Sequence, residues 1–283
     1  MSDRVMSCEI VIADPAKNIT AFVLSPVAGP AERAAIAKAL LADPNLGIEQ
    51  VGFVVVPPPD EPGRLRQAAP LWRLEMMGGE FCGNAARSFG LYVARRQGLR
   101  GQVRVDIEIS GMKESVPVLV DVEAGLAEAA MPLPIARETI AYKGAELPVY
   151  VFEGITHVIA QGIKPSEAAF YAIKALVDTG YLDALGVMFY DAIANIMTPA
   201  VYVYATESLV FESSCGSGST ALGGWLARDL PDGETSLALR QPGGVIEVRV
   251  QKRGGEMTGL FIGGPVHFSA SFFDDIDTTL SPG

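Results

Sequence analysis

Two short stretches of this chain repeat one arrangement. The first is Glu80-Phe81-Cys82-Gly83-Asn84-Ala85-Ala86-Arg87-Ser88-Phe89-Gly90, and the second is Ser213-Ser214-Cys215-Gly216-Ser217-Gly218-Ser219-Thr220-Ala221-Leu222-Gly223. In each, a Cys is followed by Gly, a small polar residue and a run able to open a helix. A device used twice, far apart in one chain, implies two matched halves that each deliver a thiol. At 283 residues and 49% hydrophobic, the chain is long enough for two ordinary domains.

The rest of the chain is mostly strand. Alternation and β-branched content predict strands over 8–13, 19–24, 50–56, 71–76, 103–109, 116–122, 149–152, 157–160, 201–204, 208–212, 237–240, 245–251 and 257–262. Helices are predicted over 31–41, 85–96, 166–177 (capped by Ser166) and 220–228. The proline run from Pro57 to Gly63 reads as a loop, because consecutive prolines cannot join a ladder. Gln241-Pro242-Gly243-Gly244 reads as a hairpin turn. The fold class expected is α+β, each half a curled, mainly antiparallel sheet around the helix that follows its Cys. The halves are drawn at 1–130, carrying Cys82, and 131–268, carrying Cys215, with 269–283 expected to return to the first.

Composition narrows the partners. A net charge of −11 argues against nucleic-acid and anionic-membrane surfaces, which need clustered Lys and Arg. No apolar run approaches the roughly 20 residues that span a bilayer. The first residues lack the apolar core of a signal peptide, so the cytoplasm is the expected compartment. Three Cys and two His are too few and scattered for a typical zinc site, so no metal is expected. Cys8 reads as a small buried hydrophobe. His157 and His267 lie in apolar strand patterns and read as structural.

A Cys at a helix mouth meets unpaired backbone N–H groups and the positive end of the helix dipole. Such positions can lower a thiol pKa to between roughly 3.5 and 7.5. The glycines after the thiols, Gly83 and Gly216, allow close backbone approach, and with Asn84 and Ser217 they make a cradle for a carboxylate. Two thiols on two such cradles suit inversion at the carbon beside a carboxylate. One thiolate removes the α-proton and the other thiol returns a proton to the opposite face. No Lys is placed by any motif for a Schiff base, so no cofactor is expected.

These residues resemble the diaminopimelate epimerase superfamily, the cofactor-independent amino-acid racemases and epimerases. The family pattern is Cys-Gly-Asn-Gly-Ala-Arg, then Cys-Gly-Thr/Ser-Gly. Here Cys82-Gly83-Asn84-Ala85-Ala86-Arg87 departs by one Gly-to-Ala change, and Cys215-Gly216-Ser217-Gly218 matches. Asn18, Glu49-Gln50, the Gln241-Pro242-Gly243-Gly244 turn and Gly263-Gly264-Pro265-Val266 also match, so the likeness covers nearly the whole chain. Within the superfamily, Glu49 to Phe53, Gly79 to Ala85, Ser110-Gly111 and Glu212 to Gly218 are most similar to the histidine racemases of opine-type metallophore pathways. The resemblance implies two pseudo-symmetric lobes of the epimerase fold, a small amino-acid substrate, no cofactor and a homodimer. It also implies that Cys82 and Cys215 are the catalytic bases, with Glu49 and Glu212 beside them and Asn18 near the substrate.

The departures bear on substrate. Diaminopimelate epimerase grips the far end of its substrate with several Asn side chains and an Arg after the second Glu. Here Glu75, Ile155 and Met188 stand at the Asn places, and Ser213 follows Glu212. No guanidinium fork is available there for a distal carboxylate. A neutral, aromatic or weakly basic side chain therefore fits better than diaminopimelate; the resemblance makes histidine the expected substrate, with diaminopimelate or another amino acid as the alternatives. A thiol–disulfide redox protein is disfavoured because there is no Cys-x-x-Cys. A non-catalytic amino-acid binder leaves both thiols without a role.

Overall fold

The computed structural model describes residues 5–57, 71–177 and 183–278. Beyond Pro57, the expected proline loop lies outside the described residues. The chain divides into two compact units, residues 1–129 with 265–283, and residues 130–264.

The first unit runs β1 (Val5–Asp14), β2 (Thr20–Val23), α1 (Pro30–Ala42), β3 (Gln50–Val55), β4 (Arg73–Met76), α2 (Gly83–Arg96), β5 (Gln102–Ile109), β6 (Val116–Asp121) and the start of β7 (Leu126–Met131). The second runs β8 (Ala136–Tyr142), β9 (Ala145–Val151), β10 (Ile155–Gln161), α3 (Glu167–Lys174), β11 (Ala184–Asp191), β12 (Ile196–Val203), β13 (Ser208–Phe211), α4 (Gly216–Leu226), β14 (Gly233–Gln241), β15 (Gly244–Arg253) and β16 (Glu256–Pro265). Then β17 (His267–Phe268) and β18 (Phe272–Asp277) pair antiparallel with β1 in the first unit.

Both units follow one plan. Hairpins and meanders give the antiparallel pairs, while each helix that crosses over returns a parallel strand, the connection a parallel pair requires. Thus β2 and β3, joined through α1, are parallel, as are β10 and β11, joined through α3. The helix after each Cys does the same: β4 and β5 are parallel across α2, and β12 meets β14 in parallel at Ile196 and Arg240 across α4. The sheets are therefore mixed, with these parallel pairs set into a mainly antiparallel pattern.

The two thiol helices are the centres of their units. All of α2 but its last two residues is buried, as expected of a helix packed on every side. It lies on β5 and β6, with Phe89, Leu91 and Val93 in the same core as Ile107, Ile109 and Val118. Gly90 permits the approach, since a Cβ there would sit 2.6 Å from Val118 Cβ. In α4, Gly223 meets Val248 of β15 in the same way, at 2.5 Å.

Both helices begin earlier than the sequence predicts, at Gly83 and Gly216 rather than 85 and 220. Each Cys is itself the N-cap, in extended backbone (φ −121°, ψ 111° at Cys82; φ −124°, ψ 114° at Cys215). Gly83-Asn84 and Gly216-Ser217-Gly218-Ser219 are poor helix formers, and burial outweighs that propensity. Helix α3 starts as expected, with Ser166 Oγ accepting from Ala169 N–H, and ends at Lys174 rather than 177.

Candidate active site

In the first unit Cys82 ends an ordered approach. Met76 N–H donates to Ser110 Oγ at 2.8 Å, and that hydroxyl donates to Glu80 O at 2.9 Å. Gly111 (φ +75°) then passes so close to Phe81 N that a Cβ would overlap it. The end of β5 thereby fixes the two residues before the thiol. Cys82 Sγ makes a long S–H···O contact of 3.9 Å to Asn18 Oδ1, and Asn18 Nδ2–H donates to Glu49 Oε2 at 2.9 Å. A carboxylate only accepts, so Glu49 sets which end of the Asn18 amide faces the thiol. Arg87 is wholly buried, and its guanidinium donates to Asn84 Oδ1 (3.1 Å) and Pro265 O (3.2 Å).

In the second unit Cys215 is 6% exposed. Burial, the largest cause, and then the charge of Glu212 push its thiol well above the ordinary range. The Gly218 N–H and the Ser217 hydroxyl pull the other way and are outweighed. This corrects the expectation of a thiol acidified by its helix mouth: the dipole is present, but a dry site beside a carboxylate favours the neutral S–H form.

Ser217 links this thiol to a residue that strand periodicity marks as structural. Ser217 Oγ lies 3.7 Å from Cys215 Sγ and 2.9 Å from His157 Nε2. His157 is fully buried, and desolvation holds its pKa down to about 3, so the ring is neutral. Its Nδ1 has no hydrogen-bond partner. An orphaned buried N–H is rarer than an orphaned lone pair, which places the ring proton on Nε2, donating to Ser217. The Ser217 proton is then free to point at sulfur. Packing fixes the ring: a Cβ on Gly186, its cross-strand neighbour, would overlap Nδ1.

Both helices start without a side-chain cap. The first intrahelical bonds are Ala86 N–H to Cys82 O and Ser219 N–H to Cys215 O, so the Gly83, Asn84, Gly216 and Ser217 N–H groups stand ahead of the ladder. They are the donors suited to an anion. Met188 is buried beside Cys215: a Cβ on Gly218 would overlap Met188 Sδ and sit 3.3 Å from Cys215 Sγ. Glu75 is ion-paired with Arg73, and Ile155 opens β10, half-buried. Cys8 is fully buried on β1 beside β18. Among the described residues, no group of three His, Cys, Asp or Glu is placed to hold a metal, and no helix is long and apolar enough to cross a membrane.

The comparisons with known proteins agree with one another. A family model for the histidine racemase CntK N-terminal domain matches residues 8–272. A histidine racemase of Fusobacterium nucleatum subsp. nucleatum is 32% identical over 280 residues, covering 95% of this chain and 98% of the relative. A histidine racemase of Staphylococcus aureus is 26% identical, covering 83% and 85%. Among solved structures, a hydroxyproline epimerase of Agrobacterium vitis with bound trans-4-hydroxy-L-proline superposes with a TM-score of 0.58 at 12% identity, over 96% of this chain and 93% of that one. A methylitaconate-delta-isomerase gives 0.59 at 11% identity, over 99% and 98%. The fold is thus that of the proline racemase and diaminopimelate epimerase group, and the chain belongs to the histidine racemase family.

Proposed function

We propose that this chain is a cofactor-independent, two-thiol racemase that interconverts L- and D-histidine. The observation that carries the reading is the repetition: each unit places one Cys as the uncapped N-cap of its central buried helix. In each unit the backbone N–H groups that open the helix after the thiol, at Gly83 and at Gly216 and Ser217, are donors suited to a substrate carboxylate, where they stabilise the charge that builds on the α-carbon. Burial and Glu212 favour the protonated form of Cys215, and the two thiols take the roles of acid and base in turn. After one turnover the roles are exchanged, and the return reaction uses the same pair. Glu49, linked to Cys82 through Asn18, and Glu212 orient the substrate ammonium.

The substrate assignment has two supports: the relatives named histidine racemase, and the apolar Met188 against Cys215 where a diaminopimelate site carries a polar side chain. Burying a distal carboxylate without a paired donor would cost on the order of several kcal/mol, more than a hundredfold in affinity. By the same resemblance we infer a homodimer serving metallophore synthesis; light scattering of the purified protein tests the dimer.

The experiment is deuterium uptake at Cα in heavy water, run in parallel on L-histidine and diaminopimelate with product enantiomers resolved. Exchange at least tenfold faster on histidine is expected, and faster exchange on diaminopimelate overturns the substrate. Cys82→Ser and Cys215→Ser should each nearly abolish racemisation, whereas Cys8→Ser should not. Near-normal turnover in either of the first two sinks the two-thiol mechanism.

A further inference from the structure

We propose that Gln241 is a positioning residue for the Cys215 thiol, acting through the backbone of Cys215 and not through substrate. The inference rests on the reading of Cys215 as one of the two bases. Gln241 is the last residue of β14, and Pro242-Gly243 is the two-residue turn into β15. Its side chain is buried and closes a ring. Cys215 N–H donates to Gln241 Oε1 at 2.8 Å, and Gln241 Nε2–H donates to Ser219 Oγ at 2.9 Å. Ser219 Oγ–H then donates to Cys215 O at 2.6 Å.

The direction of every bond in this ring is forced. The backbone N–H can only donate and the backbone carbonyl can only accept. The single Ser219 proton therefore goes to the carbonyl, and its lone pair must receive from the amide. That leaves the amide oxygen for Cys215 N–H. A Glu in place of Gln241 has no proton for Ser219, an Asn is one methylene short, and Leu offers neither group. A second bond from the same turn, Gly243 N–H to Ser213 O at 2.7 Å, holds the chain two residues upstream.

Together these bonds hold the bend that carries Ser214 and Cys215. With the Cys215 N–H and C=O both clamped, its φ and ψ are set, and the thiol keeps only its χ1 rotation. A proton-transfer group must be held to within about 0.5 Å of its productive position, and a misplacement of about 1 Å can cost a hundredfold in rate. Cys82 is reached by a different route, through Ser110 and the residues preceding the thiol.

The test uses the full-length enzyme with Gln241→Leu, Gln241→Glu, Ser219→Ala and the Gln241→Leu/Ser219→Ala pair, each checked for folding by circular dichroism. Expected are a loss in kcat of about a hundredfold for Gln241→Leu, at least fivefold for Ser219→Ala, and a change in KM below threefold in both. Because the ring acts as one unit, the double variant should be no slower than Gln241→Leu alone. If Gln241→Leu does not fold, Ser219→Ala, which removes one buried oxygen, decides alone. Losses that multiply in the double variant, a loss confined to KM, or an unchanged kcat in folded Ser219→Ala overturns the proposal. Cys215→Ser, run alongside, separates the two failures. If it is active, the two-thiol reading falls; if it is inactive while the ring variants turn over normally, only the role of Gln241 falls.

Discussion

Burial of His157 gives the fold an acid-sensitive point whose size follows from one residue. Desolvation holds the folded-state pKa at about 3, against 6.5 for an ordinary histidine. Between those values the unfolded chain takes up a proton that the folded chain refuses, so stability is complete above pH 6.5 and falls as pH falls toward 3. From pH 7.5 to 4.5 this linkage amounts to about 2.6 kcal/mol. His157→Gln is the matched perturbation: the amide does not titrate, and its Nε2–H reaches the place from which the imidazole meets Ser217. Carboxylates titrate alike in both proteins and cancel in the difference. The assay is urea unfolding at the two pH values in a Trp72→Phe background, where the fluorescence of Trp225 in α4 reports on the unit that holds His157. At a urea slope of about 2–3 kcal/mol/M, the wild-type midpoint should fall by about 1 M more than that of His157→Gln. Equal falls in the two proteins would mean that the folded state accepts the proton, and the dry neutral imidazole invoked beside Ser217 would be wrong.

Gly218→Ala places a methyl against Met188 Sδ and 3.3 Å from Cys215 Sγ; a flexible thioether can yield, so about 1 kcal/mol of stability should be lost with kcat down at least tenfold, and melting and turnover on one preparation check both. Gly90→Ala meets the stiff Val118 instead and should cost about 2–3 kcal/mol. Lys252 Nζ donates to Ala227 O, Arg228 O and Leu230 O at 3.1, 2.6 and 2.7 Å beyond the end of α4, so Lys252→Met should cost about 3 kcal/mol in urea unfolding by orphaning those carbonyls. Dialysis against a chelator and a carbonyl reagent should leave turnover unchanged; a loss restored by metal or pyridoxal phosphate would refute the thiol-only chemistry.

Strands with clean alternation were readable from the sequence, and the missed ones share physical reasons. Strand β8 is mostly exposed and joins β9 through Lys143-Gly144, both at positive φ, a turn whose usual sequence mark is Asn-Gly. Strand β7, Leu-Ala-Glu-Ala-Ala-Met, is built of weak strand formers and is held by its pairing with β6. Strand β11 is an almost continuous buried run, which periodicity cannot distinguish from a buried helix. Strands β17 and β18 gain order from a partner at the far end of the chain, β1, which no local window contains.

The same division runs through the site. Cys82 and Cys215 were legible because a local run encodes everything a helix mouth needs. What local spacing leaves out is what surrounds the thiol. His157 sits in a strand pattern that buries it, and its pairing with Gly186 and its bond to Ser217 exist only once β10, β11 and α4 are assembled. Gln241 was read as part of a turn and is one; its side chain reaches the thiol's backbone because β14 ends beside the start of α4. At Cys215 the acidifying effect of the helix mouth is outweighed for the same reason, since the sequence shows the dipole but not the desolvation that opposes it. Local pattern thus locates the two helix-mouth thiols, while the surroundings of each are set by residues that only the tertiary fold brings near.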